Sequence, residues 1–431
     1  MNDYLILGAG VTGLSAGIHT ERQIYDVNSF PGGICASYYM NLCGKKSYFR
    51  NDEESYRFEF GGGHWIFGAD NLILDFINNL SPVKTYQRKS AVYFPDLDLY
   101  VPYPIQNHLF YLPKNIREKA LKENLKSENK SVSTLADWLL VNFGKTLCEL
   151  FFFPFHELYT AGLYTKIAPQ DKFKTPANKD LILKGEKEKS PAVGYNATFV
   201  YPRNGLDDLI RKMSERCNVN FNKRVTRINL EKREVYFVDG SCIEYEKIIS
   251  TIPLNKIIKM ADINNIEDAQ PYTSVLVLNI GAKKGKSCPD YHWIYLPKSK
   301  AGFHRVGFYS NVDNSFLPES SKRDNNRVSI YVEKAFIAGK KPNDEEMKQL
   351  CAEVVKELKE WDFVAEVDVI DPTWIDVAYT WQYYDSTWKE EAMKILREND
   401  IYQTGRYGKW KFQGIAESIK DGLKIKEEIN G

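Results

Sequence analysis

Paired cysteines are what this chain most plainly lacks. Its seven cysteines (Cys35, Cys43, Cys148, Cys217, Cys242, Cys288, Cys351) are scattered and odd in number. None forms a C-x-x-C pair, so neither a zinc site nor a redox dithiol is indicated. An excess of one charge is missing too. Lys and Arg number 58 against 57 Asp and Glu, a net charge of +1, which offers no global field for nucleic acid or an anionic membrane. Long hydrophobic runs are also absent. The most apolar stretch, residues 150–155 (Leu-Phe-Phe-Phe-Pro-Phe), is far too short to span a bilayer. Met1 stands only three residues before the first apolar strand, which predicts no signal peptide and a reducing cytoplasm as the location. No internal repeat or low-complexity tract occurs.

What is present is an ordinary globular composition, 43% hydrophobic over 431 residues, long enough for two domains. Aromatics reach 13%, with 27 Tyr, enough for a core and a tyrosine-lined pocket.

The most informative segment is the first. Tyr4-Leu-Ile-Leu reads as a short buried strand, followed by Gly8-Ala-Gly10-Val-Thr-Gly13 and a small-residue helix. This order places a diphosphate against a helix N-terminus. Gly8 permits the tight turn, Gly10 lets the backbone approach the pyrophosphate, and Gly13 lets the helix pack on the strand. Free N–H groups and the positive helix end hold the anion. Asp26 follows the apolar pair Ile24-Tyr25, and Pro31-Gly32-Gly33 comes next.

Further along, 58–67 reads as a strand entering a glycine-rich loop with His64, and 70–80 as an amphipathic helix. A hairpin is predicted over 91–101 with its turn at Pro95-Asp96, then helices over 115–163. Residues 166–198 are lysine-rich and broken by Gly and Pro. They read as a solvated loop or as a lid whose Lys184, Lys187 and Lys189 meet a phosphate-bearing substrate. Strands return at 197–201, 219–228, 234–240 and 247–253. Those at 273–282, 290–297, 303–309 and 327–334 suggest an antiparallel sheet. A helix over 344–360, a strand at 400–404 and a helix from Ala416 complete the chain.

Taken together, these blocks resemble the FAD-dependent superfamily of amine oxidases, protoporphyrinogen oxidases and UDP-galactopyranose mutases. The resemblance rests on Gly8-x-Gly10-x-x-Gly13, on Asp26, and on Pro31-Gly32-Gly33. Val225 with Val238-Asp239-Gly240 and Ser250-Thr251-Ile252-Pro253 adds a fourth block, and Gly405-Arg406-Tyr407-Gly408 closes the series. It implies an α/β fold with α+β inserts, in which a discontinuous Rossmann-like FAD domain (1–80, 196–258, 396–431) carries a substrate domain. The inserts are helices (81–195) and an antiparallel sheet (259–395). FAD is the implied cofactor, bound by Gly8, Gly10, Gly13, Asp26, Gly32, Gly33, Gly63, His64, Val225, Gly405 and Arg406. Asp26 stands where the family usually has Glu, and only eighteen residues after Gly8, so the first helix must be short.

Mutase-like features come next. Residues 61–67 (Gly-Gly-Gly-His-Trp-Ile-Phe) look like the mutase loop beside the flavin, and Tyr159 in Phe-His-Glu-Leu-Tyr like a pocket tyrosine. Arg305 resembles an arginine on the substrate diphosphate, and Tyr383-Tyr384 an aromatic pair near the sugar phosphates. The resemblance assigns catalytic roles to His64, Arg305 and Tyr384, and substrate contacts to Tyr159, Arg305, Tyr383, Tyr384 and Tyr407. A buried arginine such as Arg305 needs an anionic partner, either a phosphate or an internal carboxylate. The implied reaction is the interconversion of pyranose and furanose forms of a nucleotide sugar, with reduced flavin N5 as nucleophile. No metal is implied, and homodimers are common in such families. Two departures keep the oxidoreductase branch open as the alternative. The 199–205 segment looks closer to the oxidases, and the mutase lid arginine has no match. A third class, a flavin-binding protein without activity, would need neither His64 nor Arg305.

Overall fold

The computed structural model describes residues 4–50, 53–124, 131–169, 179–187, 197–264, 266 and 269–430. Three separated stretches of chain build one parallel sheet. Its strand order is Val219–Asn220, Ile24–Tyr25, Tyr4–Leu7, Lys247–Ser250 and Ile401–Gln403. Leu5, Ile6 and Leu7 are fully buried, as a parallel strand covered on both faces requires. The helix Val11–Thr20 leaves the first strand and ends at Glu21, whose φ of 58° lies in the left-handed region. It is short, as the position of Asp26 demands. The C-terminal helix Ile415–Asn430 packs along it, and Gly422 lets the two backbones approach, since a Cβ there would overlap Thr12 and Ser15.

A second sheet has seven strands in the order Val364–Thr380, Tyr272–Lys284, Arg327–Ile337, Arg305–Phe308, Trp293–Tyr295, Ser90–Phe94 and Leu99–Pro102. It differs from the expected antiparallel sheet in two ways. Trp293–Tyr295 runs parallel to Ser90–Phe94, because the hairpin Ser90–Phe94 with Leu99–Pro102 adds to the sheet edge. The strand Val364–Thr380 was not expected at all. It carries Pro372 and stands at the sheet edge, where a missing N–H is tolerated. The expected strand near 197–201 is present as Thr198–Pro202, which pairs with Val83–Gln87 in a two-stranded ribbon.

The helices Lys114–Asn124, Leu135–Leu147 and Phe153–Tyr159, with a π-type turn over Cys148–Phe152, cover one end of this sheet. Thr134 starts the second of these with a capping box. Its hydroxyl accepts from the Asp137 N–H at 3.1 Å, and the Asp137 carboxylate accepts from the Thr134 N–H at 2.9 Å. Leu139, Phe143, Leu147, Phe151 and Phe152 form the apolar seam beneath. Within 166–198, residues Lys179–Lys187 are helical, and Lys184 is exposed on that helix. Lys189 lies outside the described residues. All seven cysteines are free. No helix is long and apolar enough to cross a membrane, and no cluster suited to a metal ion occurs among the described residues.

Candidate functional site

A cavity of about 730 Å³ runs from the N-terminus of Val11–Thr20, past the 61–65 loop, to the helices around 135–159. Its size falls within the ~300–1,000 Å³ of ordinary ligand pockets.

One end is built from backbone. Gly8 has φ of 102°, and a Cβ on it would overlap the Thr251 hydroxyl. A Cβ on Gly13 would overlap the Gly8 carbonyl oxygen, so the helix sits directly on the turn. Gly10 is different. It lines the cavity, and nothing lies within 4 Å of where its Cβ would stand. This is an open cradle at a helix N-terminus, suited to a phosphate. Gly32 pairs with Gly10 in a bridge, and Gly32, Gly33, Thr251 and Gly405 continue the wall. Asp26 lies at the end of its strand and is buried. Its Oδ2 accepts from the Ala9 N–H at 2.6 Å and its Oδ1 from the Asn28 N–H at 2.7 Å. Burial pushes its carboxyl above the ordinary value, while those bonds act the other way.

The middle of the cavity is a glycine-framed histidine. The His64 ring Nδ1 lies 2.8 Å from the Gly62 carbonyl oxygen, and its backbone N–H donates to Glu59 Oε2 at 2.9 Å. Gly61 and Gly63 allow this close packing. A Cβ on the first would overlap the His64 ring, and one on the second would press on Tyr331. Arg305 stands beside this loop and pairs in register with Glu333 on the neighbouring strand. Its Nη2 bonds both Glu333 oxygens. Burial alone would raise the Glu333 carboxyl, but Arg305, with His304, outweighs it and holds the group down at about 2. Of the two partners open to Arg305 from sequence, the internal carboxylate is present.

The far end is aromatic. Tyr295 lies cross-strand from Arg305, and its ring packs on Tyr103 at 4.6 Å and Phe155 at 5.5 Å. Tyr159 packs on Tyr379 at 4.8 Å and His304 at 5.2 Å. Arg88 is buried against Tyr103, donating to its carbonyl oxygen at 3.0 Å, and burial lowers its pKa. Arg406 donates to Gln413 O at 3.0 Å and Ala378 O at 3.2 Å and lies over Phe412.

Of the residues singled out from sequence, Gly8, Gly10, Asp26, Gly32, Gly33, Gly63, His64, Tyr159, Arg305, Gly405, Arg406 and Tyr407 line one cavity. Four of the expected site residues stand elsewhere. Tyr383 and Tyr384 are 43% and 54% exposed and outside the cavity wall, because the chain has left the sheet edge at Thr380 and turned outward. Val225 is packed in the core with Leu5, Leu7 and Tyr25 beneath the parallel sheet. Gly13 supports the loop from behind. Arg88, Tyr295, His304, Glu333, Tyr379 and Trp381 line the cavity without having been singled out as site residues. None belongs to a local motif, and only their strand pairings bring them together.

A family model for flavin-containing amine oxidoreductases matches residues 9–424. The chain belongs to that family. Its cofactor is FAD. The fold is similar to the crystal structure of reduced UDP-galactopyranose mutase, with 21% identity over 100% of this chain and 96% of that one, and a TM-score of 0.84. It is also similar to a CLA-producing fatty acid isomerase from P. acnes (13% identity, 99% and 98% covered, TM-score 0.59). Putrescine oxidase bound to putrescine is a third likeness (13% identity, 100% and 99% covered, TM-score 0.57). The open cradle at Gly10 and the buried Asp26 fit a dinucleotide such as FAD.

Asp26→Ala removes the acceptor suited to ribose hydroxyls and leaves the Ala9 and Asn28 N–H groups unsatisfied. FAD affinity is expected to fall about ten- to a hundredfold, as read by titrating apoprotein with FAD and following flavin fluorescence.

Proposed function

We propose that this family member is an FAD-dependent isomerase that interconverts pyranose and furanose forms of a nucleotide sugar. The observation that carries this reading is the charge of the cavity wall. Arg88, Arg305 and Arg406 line it, and no lysine does so among the described residues. The carboxylates are Asp26 and Glu417 at the cradle end and Glu333, which Arg305 already neutralises. A protonated amine would meet guanidinium groups on the aromatic side, whereas a diphosphate would be attracted to them. The ring faces of Phe155, Tyr159, Tyr295 and Tyr379 suit a planar base or the apolar face of a sugar.

When bound in its reduced form, FAD supplies the nucleophilic centre for this chemistry. The protein's own part is orientation and charge. Arg88, buried against Tyr103 next to the neutral Arg305–Glu333 pair, would hold the diphosphate as it leaves and returns. The aromatic walls exclude water from the sugar in between.

The test is anaerobic incubation of dithionite-reduced holoprotein with UDP-, GDP- and dTDP-sugars, with products separated by chromatography. A furanose isomer that forms only with reduced flavin is the expected result. Arg88→Lys keeps the charge but loses the planar fork, and should raise KM for the nucleotide sugar about tenfold. The family match favours a second reading, amine oxidation, which predicts hydrogen peroxide and no isomer. Steady peroxide production from an amine would replace the mutase reading.

A further inference from the structure

Behind the 61–65 loop lies a polar column that the cavity wall itself does not need. Glu59 ends the strand Ser55–Glu59 and has no exposed surface. Its Oε1 accepts from the Tyr201 hydroxyl at 2.6 Å, and its Oε2 accepts from the His64 N–H. The same Oε2 stands 3.6 Å from His64 Nδ1. The Tyr201 hydroxyl accepts in turn from Arg57 Nη2 at 3.2 Å and from the Leu206 N–H at 3.3 Å. Arg57 is fully buried, lies 3.9 Å over the Phe316 ring, and reaches Asp207 at 3.6 Å.

Such a column is costly. Each buried ion loses several kcal/mol of hydration, and apolar residues of similar volume would often do as well for stability. Its placement suggests what it does. One end is tied to Asp207 near the surface, and the other ends on the loop that carries His64.

The ring geometry adds the chemistry. A carbonyl oxygen only accepts, so the Gly62 contact places the proton of neutral His64 on Nδ1. Nε2 is then the lone pair, and among the described residues nothing bonds to it. We propose that Glu59 is a positioning residue that makes His64 Nε2 a proton-holding atom at the cavity edge. Its carboxylate holds the loop backbone and balances the imidazolium when Nε2 takes up a proton. One proton moves between Nε2 and a group in the cavity, and no electrons do. The other charged groups facing this ring are Glu333, 3.0 Å from where a Gly62 Cβ would stand, and the Arg305 that neutralises it. The Cys35 thiol feels both Glu59, which raises its pKa, and Arg406, which lowers it. The inference rests on this cavity being the reaction site, and not on the substrate being a nucleotide sugar.

The test is a pH titration of holoprotein labelled with 13C at histidine Cε1, read by NMR. Six histidines are present, and the resonance missing from His64→Gln identifies the one of interest. In Glu59→Gln, which keeps an acceptor for the His64 N–H, the His64 midpoint is expected to fall by about one pH unit, a tenfold loss of proton affinity. Tyr201→Phe removes a donor from Glu59, concentrates its charge, and should move the midpoint up. FAD content, measured by absorbance, reports whether each variant is folded. A His64 midpoint unmoved in both folded variants, or a His64 that never titrates between pH 5 and 9, overturns the proposal. If the midpoint moves as expected while no nucleotide sugar is isomerised, the nucleotide-sugar reading fails and this one stands.

Discussion

Gly13→Ala is expected to yield colourless protein of reduced stability. The new methyl would stand on the Gly8 carbonyl oxygen, which is backbone and cannot swing away. Separating the helix from the turn costs about 1–3 kcal/mol by the usual measure of overpacking, and it displaces the N–H groups that would face a diphosphate at Gly10. Gly10→Ala is the informative partner. Gly10 has φ of −71°, which alanine adopts without strain, and its Cβ would meet nothing within 4 Å. Stability to urea should therefore change by no more than about 0.5 kcal/mol. FAD affinity should nevertheless fall about a hundredfold, because the methyl occupies the space that the phosphate needs. Equilibrium dialysis with FAD, alongside urea unfolding of the apoproteins, separates the two effects. Undiminished FAD binding by Gly10→Ala would remove the diphosphate from this loop.

Arg305→Met is expected to destabilise the protein by about 3–5 kcal/mol at neutral pH, since it strands the buried Glu333 carboxylate. The double variant Arg305→Met/Glu333→Gln should recover most of that loss, because no charge is left behind. The pH dependence has a definite sign. Glu333 is held at about 2, below the ordinary 4.5 of a glutamate. In the parent protein it therefore adds stability, on the order of 3 kcal/mol, that is fully present above pH ~4.5 and lost as pH falls toward 2. Without Arg305, burial drives the carboxyl upward instead. The variant's deficit should then shrink as pH falls and Glu333 becomes protonated. Urea midpoints from pH 4 to 8 measure this. A deficit that is constant with pH would mean that the pair does not carry the effect.

Legibility in the sequence followed the range of the interactions. The helix Asn71–Leu80 was visible because Asp70 caps it, accepting from the Ile73 N–H at 3.0 Å, and because its apolar residues recur at helical spacing. The hairpin Ser90–Phe94 with Leu99–Pro102 was visible from its alternation and turn. The strand Val364–Thr380 was not. As an edge strand with register shifts and Pro372, it shows no clean alternation and reads as connecting chain. Tyr383 and Tyr384 looked like pocket residues because an aromatic pair carries no mark of the face it will take.

The glycine turn at the Gly10 end of the cavity was legible in the sequence alone. Gly8, Gly10 and Gly13 act within six residues, each through sterics of its own backbone, and Asp26 is one strand away. The aromatic end of the cavity was decided by tertiary structure. Arg88, Tyr159, Tyr295, Arg305, Glu333 and Tyr379 stand on different elements, and only the packing of those elements brings them to one wall. Whether Arg305 meets a phosphate or a carboxylate depends on which residue lies opposite it, and strand pairing places Glu333 there, 28 positions along the chain. A side chain's partner across a sheet is a property of register, and register is settled by the packing of the whole sheet and not by any one strand.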